Sequence, residues 1–520
     1  MATLTAAFAA ARGTEPALVD DTGSTTWAEL DERVNRLVNG LRDMGLANGD
    51  RVAVVAGNRR EWFEIALACS HGGWSYVPVN WHLVADELAY MFDDAAAVAV
   101  FIDPRYATEV HRALDDPRGA SVKVVVALGE GARHDRSVDY DAVIAAGSPT
   151  EPAEQRLGGP MFYTSGTTGR PKGVRGSLSG GGDLPPEILQ LVAGGFANFL
   201  PVPGRTLLCG PVYHSAQWAF SFLPLVGGSS VVMQHRYDSA EVLRLIDEHA
   251  CTNVHLVPTQ MKRLIDLPDD VKRTFDGSSL QAVWHGAAPC PPAVKRSLID
   301  WWGPKVTEYY GSTEGSIIST VSATEWLERG GSVGKPLDNV EVIVIGDDDQ
   351  PAATGQPGTL YFRNRMGTDF SYHNDDAKTA AAHREPGVFT TGDVGYLDAD
   401  GYLWLSDRKI DMIISGGVNI YPAEIEGALA AHPAVADVAV IGVPDDEFGE
   451  SVKAIVQVAE GRAATAELAA ELIAHCRTLL AGYKAPKSVD FIDLIPRTGT
   501  GKIQKKPLRD PYWADQNRSI

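Results

Sequence analysis

Tyr163-Thr164-Ser165-Gly166-Thr167-Thr168-Gly169-Arg170-Pro171-Lys172-Gly173 alternates small hydroxyl residues with glycines and closes on a lysine. A backbone with so little side chain lets successive N–H groups crowd round a polyphosphate, while hydroxyls and one ammonium add charge-assisted bonds. The preceding run Gly159-Pro160-Met161-Phe162-Tyr163 reads as a short buried strand. The loop therefore leaves the end of a sheet, where α/β proteins place nucleotides. The stretch predicts a nucleotide site. It is not a Walker loop, because Pro171 stands five places after Gly166, where that motif requires glycine. A plain flexible connector would have no use for the Arg170-Pro171-Lys172-Gly173 closure.

The chain of 520 residues exceeds what one core supports, so at least two domains are expected. With 44% apolar and 22% charged residues it has the composition of a globular enzyme. A formal net charge of −21 excludes a nucleic-acid partner and discourages attachment to anionic lipid. Anionic ligands would need local basic islands. The five cysteines, at 69, 209, 251, 290 and 476, show no CxxC spacing and read as reduced and structural. The first residues lack a basic n-region and no apolar run reaches spanning length, so a cytoplasmic protein without membrane insertion is expected.

Helical periodicity from Ala28 to Leu46 gives way to a buried strand at Arg51–Val55 and a second helix from Trp62 to His71. Further strands are expected at Ala97–Ile102, Val122–Ala127, Thr206–Cys209, Val231–Met233 and Val254–Val257, which predicts parallel sheets covered by helices. Val340–Ile345, Gly358–Phe362 and Gly401–Leu405 alternate and are joined by Asp/Gly turns, as in a small antiparallel, barrel-like subdomain. Beyond Asp411 a compact α+β unit is expected. Its helix starts at Pro422 and reaches Ala431, its strands Val438–Val443 and Val452–Val458 flank a turn at Pro444-Asp445-Asp446, and Thr465 caps a long helix. The fold class is α/β: a large N-terminal domain of parallel-rich sheets with a β-barrel-like subdomain, and a small α+β C-terminal domain. Domains 1–407 and 412–520 would be joined by a hinge at 408–411.

Further blocks follow the opening loop in order. They are Pro211-Val212-Tyr213-His214-Ser215, His285-Gly286-Ala287-Ala288-Pro289, Tyr309-Tyr310-Gly311-Ser312-Thr313-Glu314 and Thr391-Gly392-Asp393, then Asp407-Arg408-Lys409-Ile410-Asp411 running into Ser415-Gly416-Gly417, and finally Pro496-Arg497-Thr498-Gly499-Thr500-Gly501-Lys502. Taken together the series resembles the acyl-adenylate-forming superfamily of acyl-CoA synthetases, peptide-synthetase adenylation domains and beetle luciferase.

The resemblance implies an ATP-dependent acyl-CoA ligase. A carboxylic acid would be activated as acyl-AMP with pyrophosphate release, and CoA would then take the acyl group. Thr164, Ser165, Gly166, Thr167, Thr168, Gly169 and Lys172 would hold the β- and γ-phosphates, and Glu314 would hold Mg²⁺, as an oxygen ligand suits a hard cation. Thr313 would touch the α-phosphate. Tyr310 would stack on adenine opposite Gly286, Ala287 and Ala288. Asp393 would accept the ribose hydroxyls, and Arg408 would add a ribose or phosphate contact. Lys502 would bridge the carboxylate and α-phosphate as the catalytic lysine of adenylation, with His214 and Glu314 also in the catalytic set. Ser415, Gly416 and Gly417 would line the CoA tunnel, and Lys484 or Lys487 would meet CoA phosphates.

His214, Trp218, Val257 and Gly311 are expected to wall the acyl pocket. The apolar segment Gln217–Leu225, with Trp218, Phe220 and Phe222, suggests a bulky hydrophobic acid, whether fatty, aryl or polycyclic terpenoid. One departure concerns the hinge: Ile410 stands where the family carries Asp or Lys, between Lys409 and Asp411. Alternatives are an adenylate former that loads a carrier-protein thiol, a non-catalytic nucleotide sensor, and a light-emitting oxidase. A homodimer is an open expectation.

Overall fold

The computed structural model describes residues 4–164, 171–176, 179, 184–288, 290–408, 411–415, 418–445, 448–480, 482–497 and 503–514. The first long helix, Trp27–Asp43, starts at a reciprocal cap in which Thr26 Oγ1 accepts from Glu29 N and Glu29 Oε2 accepts from Thr26 N at 2.8 Å. Trp27, Leu30, Val34, Leu37, Val38 and Leu41 recur at helical spacing and all are buried. The next helix, Arg60–Gly72, is buried from Trp62 onward. It lies between two sheets, since Val52 and Val54 of one and Leu208, Val231 and Met233 of the other share its core. Gly73, at φ +75°, ends it in the left-handed region that favours glycine.

The first sheet runs Ser75–Pro78, Arg51–Val55, Ala99–Ile102, Val124–Ala127, Ser137–Asp139 in spatial order, with every pairing parallel. The second has nine strands among the described residues. Its centre is the parallel series Val306–Ser312, Ala282–His285, Asn253–Leu256, Arg205–Leu208, Ser230–Met233 and Pro16–Asp20, with antiparallel strands added at both ends. Their short apolar runs are buried on both faces, as covered parallel sheets require. Two strands begin two residues later than expected, at Ala99 and Val124, and three begin one residue earlier, at Arg205, Ser230 and Asn253.

Val340–Ile345, Gly358–Asn364, Val388–Phe389, His383–Glu385, Asp393–Leu397 and Leu403–Arg408 form an antiparallel sheet that branches at the second of them. Residues 159–161 bridge in parallel to Tyr76 of the first sheet, and Phe162–Thr164 pairs antiparallel with Lys172–Gly176, which in turn pairs with Phe370–Tyr372. Of the quoted stretch, Tyr163 pairs with Gly173 and Thr164 with Lys172.

In the C-terminal part, Pro422–Ala430 and Ala466–Leu479 pack on a sheet that includes Val435–Asp445 and Gly449–Val458. Thr465 caps the second helix, accepting from Leu468 N at 3.2 Å. The turn expected at Pro444 is displaced, because Pro444 pairs with Glu450 and Asp445 with Gly449. Val435–Asp445 is the outer strand, and an outer strand tolerates a residue without an N–H. All five cysteines are free thiols, and four are buried. Among the described residues no helix is long and apolar enough to cross a membrane.

Between strands Ala282–His285 and Val306–Ser312 and helix Pro292–Trp302 lies a buried ion pair. Lys295 is fully buried, its Nζ is 2.5 Å from Glu308 Oε2, and the ammonium lies 4.6 Å from the Trp326 ring centroid. Burial holds Lys295 below, and Glu308 above, their ordinary pKa ranges. Lys295→Met is expected to cost about 3–5 kcal/mol in urea denaturation, since it strands a buried carboxylate, and Lys295→Met with Glu308→Leu to recover most of that loss.

Candidate active site

Arg205–Leu208, Asn253–Leu256, Ala282–His285 and Val306–Ser312 are neighbours in one parallel array, so the segments following each of them open on the same edge of the sheet. Four of the expected site segments emerge there. His214 is the residue before helix Ser215–Val226, Val257 the one before Pro258–Ile265, Gly286-Ala287-Ala288 follows the third strand, and Gly311 to Glu314 end the fourth. Ser215 Oγ and Thr313 Oγ1 are 2.9 Å apart, tying the His214 helix to the Thr313 turn.

Two glycines are sterically required. A Cβ on Gly286 would stand 2.6 Å from the Tyr309 ring, and one on Gly311 would stand 2.1 Å from the Ser316 carbonyl oxygen. Ala287 takes φ +71°, an uncommon value for a residue with a side chain.

Tyr310 reaches across to the antiparallel sheet. Its OH donates to Asp393 Oδ2 at 2.5 Å, Thr391 Oγ1 donates to the same oxygen at 2.7 Å, and its ring lies 6.0 Å from Phe362. Asp393 is the first residue of its strand and faces Arg408 in register, so the backbone at Arg408 is beside this carboxylate. The aromatic and the carboxylate, read separately in the sequence, are directly linked.

Lys172, at the start of its strand and paired with Thr164, contacts the Asp375 carboxylate. Asp375 also accepts Lys378 N at 3.0 Å as the cap of helix Asp376–Ala382. Lys378 Nζ lies 4.9 Å from the Tyr372 ring, and Tyr372 OH donates to Glu314 Oε1 at 3.1 Å. Lys172 and Glu314, expected at opposite ends of a metal–phosphate group, are thus joined through the segment 372–378. That segment was not singled out in the sequence, where no spacing marks Tyr372, Asp375 or Lys378 as a group.

Helix Ser215–Val226 divides the residues expected to wall the acyl pocket. Trp218 Nε1 donates to Tyr76 OH at 2.7 Å and its ring stacks on Phe222 at 5.3 Å, inside the core shared by the two parallel sheets. Phe220, about 200° round the helix from Trp218, faces the other way. It stacks on His255 at 4.8 Å and lies 5.4–5.5 Å from Tyr309 and Trp284, while Phe199 lies 5.5 Å from Trp284. Tyr309 precedes Tyr310, and Trp284 lies two residues before Gly286. The aromatic group therefore adjoins the strand ends. The sequence takes Trp218, Phe220 and Phe222 together, and the structure puts Trp218 and Phe222 in the core shared by the two parallel sheets.

His255 is at its centre, with Nδ1 2.9 Å from Gln217 Nε2 and Nε2 3.0 Å from Tyr309 OH. Burial pushes His255 down to about 3 and holds it neutral.

In the C-terminal part, Lys484 Nζ is 2.7 Å from both Glu424 oxygens, and Lys487 Nζ is 3.1 Å from Asp445 and 4.0 Å from the Phe448 ring centroid. Both lysines are engaged with carboxylates. Ser415 pairs with Val418 and Gly449. Ser165, Gly166, Thr167, Thr168, Gly169, Lys409, Ile410, Gly416, Gly417 and Lys502 lie outside the described residues, as do the side chains of Asp407 and Arg408.

The AMP-binding enzyme family model matches residues 5–368 and the AMP-binding enzyme C-terminal domain model matches residues 424–502. The chain belongs to the AMP-binding enzyme family. It is 34% identical over 490 residues to a feruloyl-CoA synthase of an Amycolatopsis species, covering 93% of each chain. It is 34% identical over 524 residues to the 3-oxocholest-4-en-26-oate–CoA ligase of Rhodococcus rhodochrous, covering 95% of this chain and 92% of the relative. The crystal structure of the anthranilate CoA ligase AuaEII in complex with anthranoyl-AMP superposes with a TM-score of 0.87 at 25% identity, covering 98% of this chain and 96% of that one.

The depressed His255 pKa has a stability consequence. The unfolded chain binds this proton near pH 6.5 and the folded chain only near pH 3, so stability falls as pH drops through that window. His255→Gln is expected to flatten the slope of unfolding free energy by on the order of 1 kcal/mol per pH unit between about pH 5.5 and 4.5, read by urea denaturation at a series of pH values.

Proposed function

We propose that this chain is an AMP-forming acyl-CoA ligase acting on a bulky hydrophobic carboxylic acid. The observation that carries the reading is the Tyr310–Asp393 hydrogen bond at the carboxyl ends of the parallel strands, beside the Lys172–Asp375 and Tyr372–Glu314 contacts. Tyr310 and Asp393 would recognise the nucleoside, and Lys172 with Glu314 would face its phosphates and metal, where three sheets meet beside the parallel strand ends.

A carboxylate is a poor electrophile, so the first half-reaction makes it one. A carboxylate oxygen bonds to the α-phosphorus of ATP while the bond from that phosphorus to the bridging oxygen breaks, and pyrophosphate leaves. In the second half-reaction the CoA sulfur loses its proton and bonds to the acyl carbon, and AMP leaves with the electron pair of the broken C–O bond.

Asp393 would accept the ribose hydroxyls, exchanging its bond from Tyr310 for bonds from the sugar. Tyr310 and the side-chain-poor wall Gly286-Ala287-Ala288 would enclose adenine. Thr164, Ser165, Gly166, Thr167, Thr168, Gly169 and Lys172 would bind the β- and γ-phosphates, Thr313 the α-phosphate, and Arg408 the ribose or a phosphate. Glu314, whose carboxylate already accepts a hydrogen bond from Tyr372, fits a hard cation, and Mg²⁺ bound there would neutralise charge on the phosphates. Lys502 would bridge the substrate carboxylate and α-phosphate, and His214 would orient the carboxylate. Preorganised donors of this kind contribute most to such reactions, about 10²–10³ in rate for each one.

The residues Phe199, Phe220, Trp284 and Tyr309 support a bulky, ring-containing acid over a short one. The names of the two relatives, one for an aryl acid and one for a steroid acid, point the same way. Gly311 and Val257 would complete the pocket. Ser415, Gly416 and Gly417 would line the pantetheine path. Lys484 and Lys487 would have to exchange Glu424 and Asp445 for CoA phosphates. The domain from 1 to 407 would hold both substrates, with 412–520 as a cap turning about 408–411. The compartment is the cytoplasm.

Lys502→Ala is expected to abolish ATP–pyrophosphate exchange while leaving thioester formation from supplied acyl-AMP within a few-fold of the parent, and unchanged exchange would overturn that role. Asp393→Ala is expected to raise the KM for ATP by about 10- to 100-fold, the loss of hydrogen bonds to a charged group, with the KM for the acid little changed. In a pyrophosphate-release screen, ferulic acid and steroid acids should be used in preference to acetate. Equal use of acetate would sink the assignment of the pocket.

A further inference from the structure

We propose that Lys378 is a second cation of the polyphosphate site, binding the β- and γ-phosphates of ATP together with Lys172. This rests on the ligase reading above.

The Lys172 ammonium and the backbone N–H of Lys378 meet at one carboxylate. Asp375 contacts the Lys172 ammonium and caps the first turn of helix Asp376–Ala382, accepting Lys378 N at 3.0 Å. The same turn brings Lys378 Nζ over the Tyr372 ring, 4.9 Å from its centroid, and the far end of that ring donates to Glu314. Lys378 is half-buried and in the electrostatic reach of both Lys172 and Glu314, the two residues that bracket the expected phosphates and their metal. Burial first, and then the Lys172 charge, lower its pKa, which places the two ammonium groups in each other's field.

Among the described residues no carboxylate lies within ion-pair distance of the Lys378 ammonium, although Asp375 and Glu314 both act on it electrostatically. Two neighbouring ammonium groups, of which only Lys172 has a carboxylate in contact, repel each other. A ligand carrying several negative charges reverses that balance, because each phosphate oxygen added between the two cations accepts from both. The Tyr372 ring contact alone does not require this arrangement, since a cation over a ring is satisfied at the surface. Helix stability does not require it either, because a basic residue in the first turn opposes the helix dipole.

The assignment separates the two half-reactions. AMP and acyl-AMP carry no β- or γ-phosphate, so Lys378 has nothing to hold in the thioester-forming step. A residue that only supported the fold would weaken both.

The test titrates the parent, Lys378→Met and Lys378→Arg with MgATP, inorganic pyrophosphate and AMP, and follows thioester formation from supplied acyl-AMP. The expected result is MgATP and pyrophosphate binding weakened by about tenfold or more in Lys378→Met, with AMP binding and thioester formation within twofold of the parent, and with Lys378→Arg restoring most of the loss. Unchanged MgATP and pyrophosphate affinity would overturn the proposal, as would an equal loss for AMP, which marks a structural role. A parent that binds neither MgATP nor AMP would remove the ligase reading, and the role of Lys378 with it. An active parent with an insensitive variant removes Lys378 alone.

Discussion

Tyr310 and Asp393 belong to different sheets, and the hydrogen bond between them is the constraint on which the site depends. Tyr310 sits near the carboxyl end of the last parallel strand, and Asp393 opens a strand of the antiparallel sheet. With Thr391 on the same carboxylate oxygen, the bond fixes how far apart the two sheets stand at that edge. The residues around it have little freedom left. Gly311 has no room for a methyl group beside Ser316, and Gly286 has none beside Tyr309. The backbone at Arg408 is set by its register with Asp393.

The interior beneath this edge is polar and dry at once. His255 is neutral and bonded on both nitrogens, and the fully buried Lys295 meets the largely buried Glu308. Such groups cost free energy to bury, and a site that left them unpartnered would relax until water reached them. Their pairing offsets that cost.

Much of this was legible in the sequence because the relevant signals are local. Runs such as Val124-Val125-Val126 and Val231-Val232-Met233 are short, apolar and rich in β-branched residues, and they became buried parallel strands. The motif blocks marked His214, Gly286 and Glu314, because each is a compact cluster of unusual residue types. What stayed hidden depends on pairs far apart in the chain. Asp375 and Lys378 acquire meaning only when Lys172 is brought to them by the hairpin, 203 positions away. Trp218 and Phe220 look alike in the sequence, and only the direction of their helix sends one into the core and the other toward His255. The antiparallel partner of Phe162–Thr164 was not legible, because a single strand carries no record of its partner's direction.

The outer strand Val435–Asp445 carries Pro444 near its end, and helix Lys505–Trp513 lies alongside, with Trp513 Nε1 donating to the Gly442 carbonyl at 3.1 Å. An uncovered rim of this kind offers its free amides and carbonyls to any passing chain. Here one carbonyl is occupied by an indole and one amide does not exist. A second copy meeting this border would find the ladder interrupted at Gly442 and Pro444.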